Sequence, residues 1–220
     1  MFNVKYLAVA LVTLPSISVA EGSNVALSYY DMDDSSWRKL DISNVINIAG
    51  NFAVQTDFTY LEDDDDGSSN WGGMLHLLYS VNDNITVGLN YGTSSEDGED
   101  YNQNGIEVKY TAQSWELEAA RSVEVDDAKW NQVSALYRIE DQWSLEVDAL
   151  ERDGDDTVNV TGTVHYQLDN GPKVSASYTR AGSSNDNDEP ADGVFGIAVS
   201  MDLGSGKVMK HRDYLTNWWF

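Results

Sequence analysis

The chain carries three histidines, His76, His165 and His211, spread far apart along the sequence. Metal sites are usually built from closely spaced histidine, cysteine and acid ligands, and none of the three has such neighbours in sequence. A nucleophilic serine needs a histidine that a third polar group holds in place. Serines and asparagines lie on the segments around His165, but no spacing marks any of them as a partner. Cysteine is absent, which removes thiolate chemistry and disulfide scaffolds. The expectation is therefore a non-enzyme without a resident metal or cofactor.

The other polar side chains with chemical potential recur with a period of two. Lys39, Asp41, Asp57, His76, Glu107, Lys109, Glu116, Glu118, Glu124, Arg138, Glu146, Asp148, Arg152, His165, Lys173 and Asp202 alternate with apolar neighbours. On extended chain this spacing puts them all on one face. With Glu140 at a rim, that face has ten acids against five bases, Lys39, Lys109, Arg138, Arg152 and Lys173. Charged side chains lining a pore set the sign of the ions that pass. The chemistry on offer is electrostatic selection, with a mild preference for cations. If the same charges paired and filled the interior, the result would be a closed barrel.

The elements that must position these residues are strands. Alternation such as Phe52, Val54, Thr56, Phe58 and Tyr60 against Ala53, Gln55, Asp57 and Thr59 repeats along the chain. It predicts twelve strands, at roughly 24–32, 38–49, 51–62, 70–81, 85–94, 104–112, 115–125, 130–139, 143–152, 157–168, 172–181 and 193–203, with ends uncertain by two to four residues. No stretch keeps a helical apolar stripe. Of three prolines, just Pro172 touches a predicted strand, at its start, where a missing N–H does no harm. Tight turns such as Asn82-Asp83-Asn84 and Asp169-Asn170-Gly171 alternate with acidic, mostly longer connections, among them Glu62 to Ser69, Thr93 to Gln103 and Gly182 to Asp192.

Residues 1–20 read as a secretory signal peptide: a cation at Lys5, a short apolar run, and Ser18-Val19-Ala20 before the cleavage point. The apolar run is about half the roughly 20 residues that a membrane-spanning helix needs. Residues 21–203 form the predicted barrel, and 204–220 a periplasmic tail or sorting signal. The precursor's formal net charge is −24. Such a surface repels nucleic acid, whose phosphates need Lys and Arg, and argues against attachment to anionic lipid surfaces.

Alternation alone also suits a soluble β-sandwich. Two features favour a transmembrane barrel. Aromatic residues gather near strand ends on the apolar face: Tyr29, Tyr60, Trp71, Tyr79, Tyr91, Tyr110, Trp115, Trp130, Tyr137, Trp143, Tyr166 and Tyr178. Rings at both margins of an apolar band form the interfacial girdles of outer-membrane barrels. The chain also ends in Tyr214, Thr216, Trp218 and Phe220, alternating and closed by an aromatic. In lipid every backbone group must pair internally, so such strands must close on themselves. The expected fold class is all-β: a closed, antiparallel, up-and-down barrel of about twelve strands.

Segments such as Ile85-Thr86-Val87-Gly88-Leu89-Asn90-Tyr91-Gly92 and Gly193 to Met201, with the terminal Phe220, resemble those of Gram-negative porin-like outer-membrane proteins. The resemblance covers the mature chain in pattern. It implies export to the outer membrane, where lipid and lipopolysaccharide surround the barrel. It also implies insertion by the barrel-assembly machinery, with Trp218 and Phe220 as the sorting signal. The implied function is a water-filled channel for small hydrophilic solutes or ions; many such porins are homotrimers. The chain departs from the pattern in ending its last strong strand near Leu203 rather than at Phe220. The alternative is a closed structural or surface-binding barrel whose acidic loops bind cations. The loops Glu62 to Asp66 and Asp153 to Asp156 are rich enough in oxygen for weak Ca²⁺ or Mg²⁺ binding. The EF-hand spacing is missing, since Gly73 stands where the last acid ligand belongs.

Overall fold

A computed structural model describes residues 22–32, 35–65, 67–96, 99–124, 129–153, 157–169, 171–183, 193–204 and 209. They form twelve strands: β1 (Gly22–Met32), β2 (Ser35–Ala49), β3 (Phe52–Asp63), β4 (Ser69–Ser80), β5 (Ile85–Glu96), β6 (Glu99–Thr111), β7 (Trp115–Glu124), β8 (Lys129–Arg138), β9 (Trp143–Asp153), β10 (Thr157–Gln167), β11 (Lys173–Ser183) and β12 (Val194–Gly204). Each strand pairs antiparallel with its neighbours in sequence, and β1 closes on β12 from Gly22 opposite Gly204 to Asp31 opposite Phe195. Closure leaves no free sheet edge, as a hydrocarbon environment demands.

The side-chain pattern is that of a soluble protein turned inside out. Leu89 and Ile106 are 58% and 61% exposed on the outer surface, while Gln55 and His76 inside are at 0%. In water, apolar surface costs about 25 cal/mol per Å², so an outer wall of Leu, Ile, Val and Phe suits lipid. A single closed sheet with its apolar rows outward excludes the soluble sandwich, in which those rows would face a second layer.

The apolar band has readable margins. At the end with the short turns, cross-strand aromatic pairs bind neighbouring strands: Phe52 with Tyr79 at 4.9 Å between ring centroids, Trp115 with Tyr137 at 4.5 Å, and Trp143 with Tyr166 at 4.7 Å. Tilted pairs at this range add about 0.5–1.5 kcal/mol each beyond area burial. Toward the opposite end, the outward positions of β7, β8 and β9 turn polar at one level. Arg121 lies opposite Asn131, and Asn131 donates to Glu151 at 3.1 Å. Between these margins Tyr29, Tyr60, Trp71, Tyr91 and Tyr178 sit on the outward face nearer the loop end, and Tyr110 sits near the turn end.

The structure departs from the sequence reading at two places. Trp130 is not an interfacial aromatic: it is the second residue of β8, points inward and is 5% exposed. The connection expected from Thr93 to Gln103 is largely strand, because β5 and β6 run on in register to Glu96 opposite Glu99. Ser94 and Gln103 are buried on the inner face there, so polar residues that read as loop continue the barrel wall. Two strand pairs, β1–β2 and β5–β6, are consequently joined at the loop end by only two residues each. Protruding strands supply part of the asymmetry expected from long loops. The leader at 1–20, Trp218, Phe220 and most of the acidic connections lie outside the described residues.

Candidate functional site

The interior divides into a filled wall and an open cavity. The filled wall is a hydrogen-bonded ribbon crossing from β3 to β7. Gln55 donates through Nε2 to both oxygens of Asp57, at 2.9 and 3.1 Å. Asp57 Oδ2 is 3.0 Å from His76 Nε2, and His76 Nδ1 is 2.7 Å from Glu107 Oε1. Glu107 Oε2 accepts from Asn90 at 3.2 Å, and Asn90 Oδ1 accepts from Ser122 at 3.3 Å. Each of these six side chains is at most 5% exposed. Period-two alternation projects them inward, and register lines them up: Gln55 faces His76, His76 faces Asn90, and Gly88 faces Glu107. Gly88 leaves the space for that carboxylate, since a Cβ there would meet Glu107 Oε1 at 2.5 Å.

Two apolar contacts interrupt the polar interior. Met74 from β4 clusters with Trp130 and Leu150 from β8 and β9, joining walls four and five strands apart. Arg152 lies over the Trp130 ring, 5.3 Å from its centroid. Near the turn end, Met209 clusters with Val45, Ala53 and Leu78. Met209 lies beyond the last strand, yet is inside the barrel and 1% exposed.

The cavity, about 520 Å³, is lined chiefly by β8 to β12, β1 and β2. It reaches from Glu140, Asp141 and Gln142 at the turn end to Asn159, Thr179 and Tyr30 toward the loop end. Seven carboxylates line it, Asp41, Glu116, Glu140, Asp141, Glu146, Asp148 and Asp202, against the four cations Lys39, Lys109, Arg138 and Lys173. Three of those cations are held by acids: Lys39 by Asp41 at 3.3 Å, Lys109 by Glu116 at 2.8 Å, and Arg138 by Glu116. Asn24 also donates to Asp202, at 2.6 Å.

One arrangement on the cavity wall has the form of a hydrolytic triad. His165 Nδ1 lies 2.7 Å from Ser175 Oγ, and Nε2 lies 2.8 Å from Glu146 Oε2. A serine, an imidazole and a carboxylate in series can activate a nucleophile. Acyl transfer also needs donors aimed at the developing oxyanion. Ser175 sits between two paired strands, opposite His165 and Ala198, so the backbone N–H groups around it are engaged in the ladder.

The residues expected at the pore all lie on strands of one barrel, but not in one place. Lys39, Asp41, Lys109, Glu116, Arg138, Glu146, Asp148, His165, Lys173 and Asp202 line the cavity. Asp57 and Glu107 belong to the filled wall, Glu118 is buried within 4.0 Å of Lys109, and Arg152 stacks on Trp130. Sequence reasoning missed Gln55, Asn90, Ser122 and Ser175, whose inward parity was legible although their partners were not. Among the described residues no group of three His, Asp or Glu side chains is disposed to hold a metal ion.

No family model matches the chain, and no curated protein matches it. Solved structures do. The KdgM porin superposes with a TM-score of 0.65 at 9% identity, covering 80% of this chain and 97% of its own. The NanC porin gives 0.62 at 9%, covering 82% and 100%. This is a porin fold. Outer membrane phospholipase A from Escherichia coli superposes almost as well, at 0.61 and 11% identity, covering 81% of this chain and 89% of its own. The porin fold therefore carries more than one activity, and the function of this barrel has to be argued from its lumen.

Proposed function

We propose that the protein is an outer-membrane channel for passive diffusion of small hydrophilic solutes, with a mild preference for cations. The observation that carries this reading is the cavity of about 520 Å³ inside a closed barrel, with seven carboxylates against four cations on its wall. An acidic wall of low dielectric surroundings raises the local concentration of cations and lowers that of anions. The ion pairs on Lys39, Lys109 and Arg138 offset most of the positive charge, and the excess of seven carboxylates over four cations sets the sign of the wall. The porin likenesses support an outer-membrane location. Arg121 and Arg180, outward at the loop end, are suited to lipid or lipopolysaccharide phosphates.

The test is solute entry into liposomes loaded with the refolded protein. Swelling rates should fall steeply as solute size increases and should favour amino-group cations over sulfonates of equal size. Liposomes as tight as protein-free ones would overturn the channel reading. They would favour the closed, surface-binding barrel, which the filled wall between β3 and β7 also suits.

A further inference from the structure

Two inward serines carry hydroxyls that no protein group completes. Ser43 is 3% exposed and Ser200 is 7% exposed, and both line the cavity. Neither hydroxyl bonds to another described residue. Buried polar groups nearly always have partners, so hydroxyls of this kind are completed from the cavity. Strand register brings the two into one patch. Ala26 lies opposite Ser200 on β12 and Asp41 on β2, and Asn24 lies opposite Asp202 and Ser43. Two rows of three residues thus tile the wall across β12, β1 and β2, and all six line the cavity. Strands stand about 4.8 Å apart and inward residues about 6.7 Å apart along each, so the patch measures about 10 by 7 Å between Cα atoms. Ala26 has the smallest side chain of the six and leaves a hollow among the oxygens.

The two carboxylates of the patch differ in what already holds them. Lys39 Nζ lies 3.3 Å from Asp41 Oδ2, and Thr59 donates to Asp41 Oδ1 at 2.6 Å. Asp202 accepts from Asn24 Nδ2 at 2.6 Å. That bond uses one oxygen of Asp202 and one donor of Asn24, so the second carboxylate oxygen and the amide oxygen keep their accepting capacity. Asp202 makes no ion pair with a described cation, and Lys173, opposite Ser200 by register, pairs with no described acid. We propose that this patch is a binding site for one monovalent cation, either an alkali ion or the primary ammonium group of a small solute. One uncompensated carboxylate matches one positive charge. The other contacts are neutral oxygens, which can replace the hydration shell of an alkali ion or accept from the three N–H donors of an ammonium. A calcium ion takes six to eight oxygens, several from carboxylates, and among the described residues no group of three His, Asp or Glu side chains is disposed to hold a metal ion. The proposal rests on the diffusion reading and names where on the path a passing cation pauses. Conduction requires binding weak enough to release the ion, which a single carboxylate with hydroxyl partners suits.

The experiment uses the refolded full chain in non-ionic detergent with sodium as the only cation, and bound ion is read from broadening of the sodium-23 NMR line. Wild type is compared with Asp202→Asn, with the double variant Ser43→Ala, Ser200→Ala, and with Asp65→Asn, which removes one charge from an exposed connection. Heat-dependent gel migration checks that each variant is folded. Wild type should give saturable broadening. Asp202→Asn should lose it, the double serine variant should lose it several-fold although no charge has changed, and Asp65→Asn should keep it. A serine variant that broadens the line like wild type would reduce the patch to diffuse attraction by an acidic wall and overturn the site. A loss in Asp65→Asn as large as that in Asp202→Asn would do the same. Competition identifies the occupant. Displacement by potassium ahead of methylammonium supports an alkali ion, and the reverse order supports a primary ammonium. Tetramethylammonium, which has no N–H, should displace poorly; equal displacement by all three would overturn the site. Binding is read without conduction, so the two proposals fail separately. The expected variant pattern in a barrel that never conducts would uphold the site and sink the diffusion reading, and a conducting barrel without that pattern would sink the site alone.

Discussion

His76 and Glu107 meet at 2.7 Å inside the barrel, and both side chains are wholly shielded. Asp57 approaches the other ring nitrogen at 3.0 Å, so one imidazole links carboxylates from β3 and β6 across β4 and β5. Breaking a buried ionic contact by removing one partner costs about 3–5 kcal/mol, because the remaining charge stays buried. His76→Leu should lower unfolding stability in detergent by that amount, as measured by urea titration of the refolded barrel. His165→Leu, on the open cavity, should cost clearly less. Equal losses would show that the filled wall has no special standing.

Gly105 packs against backbone. A Cβ there would meet the Arg121 carbonyl oxygen and Ser122 Oγ, both at 2.4 Å, and a ladder carbonyl has little freedom to move away. Overpacking of this kind costs about 1–3 kcal/mol. Gly105→Ala is expected to lose that much stability, whereas Gly162→Ala, with no atom within 4 Å of the new Cβ, should be close to neutral. The urea midpoints of the two variants decide it.

The two faces of one strand should answer differently to charge. Val147 on β9 points outward and is 52% exposed, while Ser144 on the same strand lines the cavity. A cation on the lipid face near the bilayer midplane costs about 2–4 kcal/mol. Val147→Lys should therefore destabilise the barrel in lipid by that order. Ser144→Lys should leave stability nearly unchanged and reduce cation preference. The comparison requires unfolding in lipid bilayers together with reversal potentials.

The series Ser175, His165 and Glu146 invites a test for hydrolysis. Its neighbouring backbone donors are engaged in the ladder, so an oxyanion would find no prepared N–H pair. Ser175 is expected to remain unlabelled by a fluorophosphonate probe in the folded protein, with p-nitrophenyl esters uncleaved. Labelling that disappears in Ser175→Ala would establish a catalytic serine.

Much of the fold was legible in the sequence because period two leaves little freedom. Once Phe58 is set outward, Asp57 and Thr59 must face in, and twelve such segments can satisfy their backbones in lipid only by closing. What could not be read was which inward residues meet. Asp57 and Asp148 have the same parity and chemistry, yet one is buried against His76 and the other borders the cavity. That division depends on strand register and on which residues reach across the lumen, as Met74 and Trp130 do. Trp130 misled for a related reason: an aromatic near a strand end suits a girdle on either face, and its inward position follows from the alternation through Gln132 and Ser134. Met209 carried no signal, because its partner Gln55 lies 154 positions away.

In the proposed function the acidic lumen wall sets what passes. Reversal potential in a planar bilayer under a tenfold KCl gradient tests it most directly, with wild type compared against the double variant Glu146→Gln, Asp148→Asn. Wild type should show a potential of the sign given by K⁺ moving faster than Cl⁻, and the double variant a potential closer to zero. A wild-type potential of the opposite sign, or no shift on neutralising both carboxylates, would contradict the account.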